Sequence, residues 1–320
     1  MPVPRVLLVK LSSLGDVVHN LPAVTDLLEH RPGIHVAWAV EEAYAELVAL
    51  HPGVSEVIPV GLRGLKRNLF DRARWKRVGE TRRTLASGGW DYVIDTQGLV
   101  KSALVTRAAR GVSFGMDRKS AREKAAARFY DVQIPIARER HAVERIRELV
   151  AKVFGYRVEG PARYGLVPPP APPTWAPPAP YAVLLQAASK ASKRWPDDHW
   201  IGLAGLLAQS GHASVFPGGS EAERRDAARL AAACTNAIAA PAMGLAEAAA
   251  LIGNAALVAG VDTGLTHLAV ALGRPTVGIY TATRPELTGL HGNNGVNLGG
   301  PGMVPSIEGA AAALGYQPAA

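Results

Sequence analysis

A chain of 320 residues with 48% hydrophobic composition is long enough to bury a large core, which excludes disorder as a default, and its length suggests two domains rather than one. Lys and Arg (35) outnumber Asp and Glu (27), and the formal charge of +8 favours an anionic partner: nucleic acid, a phosphorylated substrate or a membrane surface. The single Cys234 excludes an internal disulfide and no Cys/His pair has zinc-ligand spacing, so a reducing cytoplasmic setting without a structural metal is expected.

In chain order, 5–9 (RVLLV), 35–40 (HVAWAV), 55–60 (SEVIPV), 91–96 (DYVIDT) and 111–116 (GVSFGM) read as strands, with helices near 17–30, 41–50, 71–87 and 98–109. The apolar run Val6–Val9 is too short for a signal-peptide core. Strands alternating with helices form parallel sheets, so residues 1–167, closed by the helical pattern of 141–154, are expected to be one Rossmann-like domain. The Pro-rich tract 168–180 (VPPPAPPTWAPPA) disfavours both helix and sheet interior and reads as an interdomain linker. Alternation then restarts across 181–320, with strands at 181–186, 213–217, 236–240, 256–261 and 275–280 and helices near 197–209, 220–233, 244–252 and 264–272. Asp262 and His267 interrupt the apolar stretch around 256–272, so nothing spans a membrane. The expected fold is α/β, two Rossmann-like domains facing each other across a cleft, with the chemistry in the strand-to-helix loops.

The first such loop, Lys10-Leu11-Ser12-Ser13-Leu14-Gly15-Asp16, leaves two roles open for Asp16. It caps a helix beginning at Val17 after a turn at Gly15, or it is a general base that accepts the proton of an attacking hydroxyl. In the second domain, Asp262-Thr263-Gly264-Leu265-Thr266-His267 sits at a strand-to-helix junction, where free N–H groups suit a phosphate; a plain cap at Asp262 and a packed His267 is the structural alternative. The basic loop from Ser189 to Trp195 holds Lys193, suited to neutralising a departing diphosphate without a metal, or is a solvated turn. Pro217-Gly218-Gly219-Ser220-Glu221 permits close ligand approach, with Glu221 placed for ribose hydroxyls. Neither a Walker A nor a GxGxxG pattern is present, which argues against P-loop NTPases and classical dehydrogenases. Basic clusters at Arg63, Lys66, Arg67, Arg72, Arg74, Lys76 and Arg77, and at Arg118, Lys119, Arg122, Lys124 and Arg128, suit a phosphorylated acceptor or an anionic membrane. Aromatics for base stacking are sparse among them, so nucleic acid is not the expected partner.

VLLVKLSSLGDVVHNLPAVTDL, DYVIDTQGLVKSALV, GMDRKSAREKAAARFYD, HAVERIRELVAKVFGY, KRWPDDHW and VDTGLTHLAVALGRPTVGIY, in this order, resemble the bacterial heptosyltransferases of lipopolysaccharide core synthesis, type I most closely. The resemblance implies a GT-B fold without metal or cofactor, ADP-L-glycero-D-manno-heptose as donor, Kdo-lipid A as acceptor, inversion at the anomeric carbon, and a peripheral position on the cytoplasmic face of an anionic inner membrane. It carries the catalytic aspartate to Asp16, the lysine near the donor phosphates to Lys193, and donor contacts to Asp262, Thr263, Gly264 and His267. The nucleotide-side acid falls on Glu221, with Glu223 the alternative because a small gap intervenes. Relatives often have paired threonines where this chain has Ala188-Ser189, leaving Ser189 for one hydroxyl contact. Ser12, Ser13, Arg63, Lys66, Arg67, Arg118 and Arg122 are expected on the acceptor side. The rivals are a type II heptosyltransferase, a basic nucleic-acid-binding protein and a GT-B-like sugar-nucleotide epimerase.

Overall fold

The computed structural model describes residues 3–62 and 72–316, and the chain divides into two compact units between Leu166 and Val167. The first unit runs β1 (Arg5–Val9), α1 (Leu14–Val18), α2 (Leu21–His30), β2 (His35–Glu41), α3 (Ala45–Val48), β3 (Glu56–Val60), α4 (Arg72–Ser87), β4 (Tyr92–Asp95), α5 (Val100–Ala108), β5 (Val112–Met116), β6 (Val132–Ile134) and α6 (Ala142–Phe154). Its six strands are parallel in the order β3-β2-β1-β4-β5-β6. The central strand β1 is covered on both faces, which is why RVLLV is a continuous apolar run rather than an alternating one. Leu7 pairs with Ala37 on one side and Val93 on the other, all three fully buried.

The second unit repeats the plan: β7 (Tyr181–Leu185), α7 (Asp197–Gln209), β8 (Ala213–Phe216), α8 (Glu221–Ala232), β9 (Ala237–Ala239), α9 (Leu245–Gly253), β10 (Leu257–Val261), α10 (Gly264–Ala271), β11 (Thr276–Tyr280), α11 (Pro285–Thr288), β12 (Gly295–Gly299) and α12 (Ile307–Ala313). Its sheet order is β12-β11-β10-β7-β8-β9, again all parallel. In both sheets the order reverses beside the first strand, between β1 and β4 and between β7 and β10. Loops at the carboxyl ends of such neighbours diverge and leave a crevice that binds ligands.

Three expectations are corrected. The helix expected over 17–30 is two, because the chain turns at His19-Asn20 and Pro22, which has no N–H to donate, sits in the first turn of α2. Strands β6 and β12 escaped the sequence reading: both are edge strands, one three residues long and the other carrying Gly295, Asn297 and Gly299, so neither shows an apolar run. The Pro-rich tract is not a bare linker. It lies against α9, with Trp175 Nε1 donating to Glu247 Oε1 at 2.7 Å and Asn254 Nδ2 donating to the Pro169 carbonyl at 3.1 Å.

Candidate functional site

In the first unit the loop after β1 concentrates charge. Ser13 is the N-cap of α1 and Asp16 the third helical residue, so Asp16 is not itself the cap and the helix begins at Leu14, ahead of Val17. Asp16 Oδ2 accepts from the Ser13 N–H at 3.0 Å and from the Ser13 hydroxyl at 3.1 Å, a reach back that holds the carboxylate in one position. Arg122, in the segment after β5, reaches the same oxygen at 3.4 Å. Burial pushes the Asp16 carboxyl up, but Lys10, the Ser13 N–H, Arg122 and the Ser13 hydroxyl together hold it below the ordinary aspartate value, so it is ionised at neutral pH. Beside it, Ser12 is buried and accepts from Lys101 Nζ at 2.8 Å, while Ser13 is exposed.

The adjacent loop after β4 is fixed by Asp95, which is fully buried. Its Oδ1 accepts from the N–H groups of Gln97 (2.8 Å) and Gly98 (3.0 Å), and its Oδ2 from the Ser102 hydroxyl (2.8 Å) and the Tyr130 hydroxyl (2.7 Å). Gln97 in turn accepts from the Leu11 N–H at 2.7 Å, tying the two loops together. Gly115 makes room for this: a Cβ there would lie 2.3 Å from the Tyr130 ring. Farther along α5, Lys101 borders a hollow of about 570 Å³ whose walls include Val60, Leu62, Val78, Leu85 and Leu104.

In the second unit Asp262 is the hub. Its Oδ2 accepts from Lys193 Nζ at 2.6 Å and the Thr283 hydroxyl at 2.7 Å, and His267 Nε2 stands 3.6 Å from Oδ1. Burial alone would raise this carboxyl; the bonds from His267, Lys193 and Thr283 override it and hold the group far below the usual carboxylate range. Thr263, not Asp262, is the N-cap of α10, so the N–H groups of Gly264 and Leu265 have no preceding helical carbonyl to donate to, whereas that of Thr266 donates to the Thr263 carbonyl at 3.1 Å. Lys193 closes a 3-10 turn after β7 and Asp262 follows β10, so their ion pair spans the point where the strand order reverses. Two loops farther, the carboxylate of Glu223 closes a capping box on the N–H groups of Gly219 and Ser220, both at 2.9 Å, and lines a small pocket with Gln186 and Trp195. Glu221 is exposed and pairs with Arg225 one turn along the helix.

The structure therefore gathers Ser12, Ser13, Asp16 and Arg122 in one unit and Lys193, Asp262, Thr263, Gly264 and His267 in the other. Ser189 lies in an exposed bend before the 3-10 turn, and Arg118 is exposed ahead of Arg122. Arg63, Lys66 and Arg67 lie outside the described residues. Sequence reasoning missed Lys10, Asp95 with Tyr130, and Thr283. A polar residue ending an apolar strand, as in LLVK and VIDT, was the available signal for the first two. Among the described residues no group of three or more His, Cys, Asp or Glu is placed to hold a metal ion, and no helix is long and apolar enough to cross a membrane.

A pair of parallel six-stranded Rossmann-like units, one with an ionised carboxylate and the other with a helix N-terminus and a lysine at the reversal of strand order, defines a nucleotide-sugar glycosyltransferase of the GT-B fold. The family model "Glycosyltransferase family 9 (heptosyltransferase)" matches residues 78–306, and the chain belongs to that family. It is 44% identical over 300 residues to lipopolysaccharide heptosyltransferase 1 of Pseudomonas aeruginosa, covering 92% of this chain and 83% of that protein. The E. coli heptosyltransferase WaaC with ADP superposes with a TM-score of 0.86 at 40% identity over 95% of each chain. WaaC with ADP-2-deoxy-2-fluoro heptose gives 0.84 at 39% identity, over 97% of this chain and 98% of that one. The activity is heptosyl transfer in assembly of the lipopolysaccharide inner core.

Proposed function

We propose that the chain transfers L-glycero-D-manno-heptose from ADP-heptose to the Kdo of Kdo-lipid A by a single displacement with inversion. The observation that carries the mechanism is the setting of Asp16, a carboxylate kept ionised by surrounding cations and fixed by two bonds from Ser13. An acceptor hydroxyl gives its proton to Asp16 as its oxygen bonds to the anomeric carbon, and the bond from that carbon to the diphosphate breaks with its electron pair leaving on ADP. One displacement reverses the anomeric configuration.

The departing charge is met by Lys193 and the N-terminus of α10, the roles proposed for Thr263 and Gly264 being backbone contacts to phosphate. Asp262, held by Thr283 and approached by His267, orients Lys193 toward that position. For the nucleotide, Glu223 is favoured over Glu221 because it lines the pocket with Gln186 and Trp195, whereas Glu221 points along the helix surface to Arg225; the role proposed for Ser189 is one hydroxyl contact to the donor. On the acceptor side, Arg118 and Arg122, with Arg63, Lys66 and Arg67, suit the carboxylates and phosphates of an anionic sugar-lipid. The apolar hollow beyond Lys101 suits its lipid part, and the same cations suit peripheral contact with an anionic membrane.

The test is mass spectrometry of purified protein with ADP-heptose and two acceptors, Kdo-lipid A and its monoheptosylated form. Heptose added to the first acceptor only is the expected result; addition to the heptosylated acceptor alone identifies a type II enzyme instead.

A further inference from the structure

Past Val9 the chain has left the sheet ladder, and its buried polar groups need partners from elsewhere. Three successive residues find them on the segment after β4. Lys10 Nζ donates to the Thr96 carbonyl at 3.0 Å, the Leu11 N–H donates to Gln97 Oε1 at 2.7 Å, and the Ser12 hydroxyl accepts from Lys101 Nζ at 2.8 Å. Leu11 is fully buried and is held at its other end too, its carbonyl accepting from the Glu41 N–H at 3.1 Å. Two residues on, Ser13 holds Asp16 by two bonds. The same segment grips the chain beside Arg122: the Glu123 N–H donates to the Gly98 carbonyl at 2.9 Å, and the Val100 N–H to Glu123 Oε2 at 2.7 Å. Gly98 adopts φ +69°, and a Cβ there would stand 3.3 Å from the Arg122 nitrogen, so the two backbones run close. Asp95, fully buried with four donors on it, anchors this segment in the core.

We propose that Gln97 is a positioning residue for the transfer: its carboxamide oxygen stands in for a strand partner to the Leu11 N–H and so sets where Ser13 presents Asp16 to the acceptor hydroxyl. The proposal rests on reading Asp16 as the base. Of the three grips, those on Lys10 and Ser12 are made through their side chains, whereas the bond from Leu11 pins the main chain that leads to Asp16. Gln97 is 6% exposed, and its own N–H is held by Asp95 Oδ1 at 2.8 Å, so the carboxamide extends from a fixed point. Its orientation follows from its partner, because a backbone N–H needs an acceptor and only the amide oxygen is one. A base must lie within hydrogen-bond reach of the proton it takes, and a misplacement of about 1 Å can cost about 100-fold in rate. An acceptor held by other side chains still binds when Asp16 is displaced, so the loss falls on kcat and not on KM.

In Gln97→Met, which keeps the length and removes the oxygen, kcat on Kdo-lipid A at about pH 8 falls at least about tenfold, with acceptor KM and ADP affinity within about twofold of wild type. Gln97→Glu, which still offers an oxygen to the Leu11 N–H, returns kcat to within about threefold of wild type. On the Asp16→Asn background, Gln97→Met lowers the remaining rate by less than about twofold, because a residue acting through Asp16 has nothing left to position. Circular dichroism and urea unfolding check the fold of each variant. If Gln97→Met does not fold, Gln97→Asn, which keeps the amide but not the reach, is held to the same expectation. Wild-type kcat in a folded variant whose urea midpoint alone is lowered overturns the proposal and makes Gln97 a structural residue. A raised KM at unchanged kcat overturns it in favour of a direct contact to the acceptor, and so does a Gln97→Glu variant as slow as Gln97→Met. Asp16→Asn measured by itself separates the two failures. Activity retained there removes the base reading, whereas activity lost there with kcat unmoved in Gln97→Met removes only the role of Gln97.

Discussion

Asp16→Asn separates chemistry from folding, and the structure sets the size of both effects. The amide oxygen still accepts from the Ser13 N–H and hydroxyl, so the geometry at the start of α1 survives. Two things are lost: the charge-assisted strength of those bonds, about 1 kcal/mol, and the ion pair with the exposed Arg122 at 3.4 Å, worth about 0–1 kcal/mol. With the Arg122 side chain 62% and the Asp16 side chain 27% exposed, the combined loss is about 1–2 kcal/mol. Because the carboxyl is depressed in the folded protein, that contribution is present above the ordinary aspartate value of 3.8 and is lost as pH falls below it, so the stability gap between variant and wild type narrows in acid. A domain of ordinary stability, about 5–15 kcal/mol, stays folded after such a loss. The amide cannot take a proton at neutral pH, and removal of a general base lowers kcat about 100- to 10,000-fold, roughly 3–5 kcal/mol of barrier. Steady-state kcat on Kdo-lipid A, urea unfolding and calorimetric ADP binding together make the assay. Near wild-type kcat in a variant that binds ADP normally would refute the role of Asp16.

Asp262→Asn should lower stability at neutral pH, and the difference from wild type should hold constant above about pH 5 and close as pH falls below the ordinary value of 3.8, since the folded carboxyl is depressed; urea melts across pH check this. Glu223→Gln keeps a capping-box side chain, so folding is unaffected, but ADP should bind about fivefold more weakly, the loss of roughly 1 kcal/mol in a charged contact; Glu221→Gln should leave ADP affinity unchanged, and calorimetry giving the reverse order reassigns the contact. Arg147 is 1% exposed and bonds Asp26 at 2.7 and 3.2 Å, Glu144 at 2.9 Å and the carbonyls of Glu159 and Gly160. Arg147→Met should therefore cost about 3–5 kcal/mol in urea unfolding by stranding Asp26, and Asp26→Leu added to it should recover most of that loss.

The doubly wound plan was legible because parallel strands buried on both faces must be continuous apolar runs, as at Val6–Val9 and Leu257–Val261. What escaped were edge strands with one buried face or none, β6 and β12, whose pairing is long-range and leaves no local pattern. The reach of Asp16 back to Ser13 was hidden for a similar reason: the spacing S-L-G-D fits a capping box, but reading the helix from Val17 placed its start three residues late. At the second unit the aspartate and histidine of VDTGLTH were visible, yet the partner that completes Asp262, Thr283, comes from beyond β11, 21 residues away in sequence. Lys10 looked like a polar residue ending a strand, and only its enclosure by Thr96 and Trp38, whose Nε1 donates to the Lys10 carbonyl at 3.1 Å, shows that the charge is buried.

The measurement that bears most directly on the central claim is the anomeric configuration of the product. With ADP-heptose and Kdo-lipid A, and a chelator present throughout, NMR of the isolated glycolipid should show a heptose on Kdo with the configuration opposite to that in the donor, accompanied by one ADP per heptose transferred. A product with the donor's configuration, or transfer abolished by the chelator, would contradict a single metal-independent displacement with Asp16 as its base.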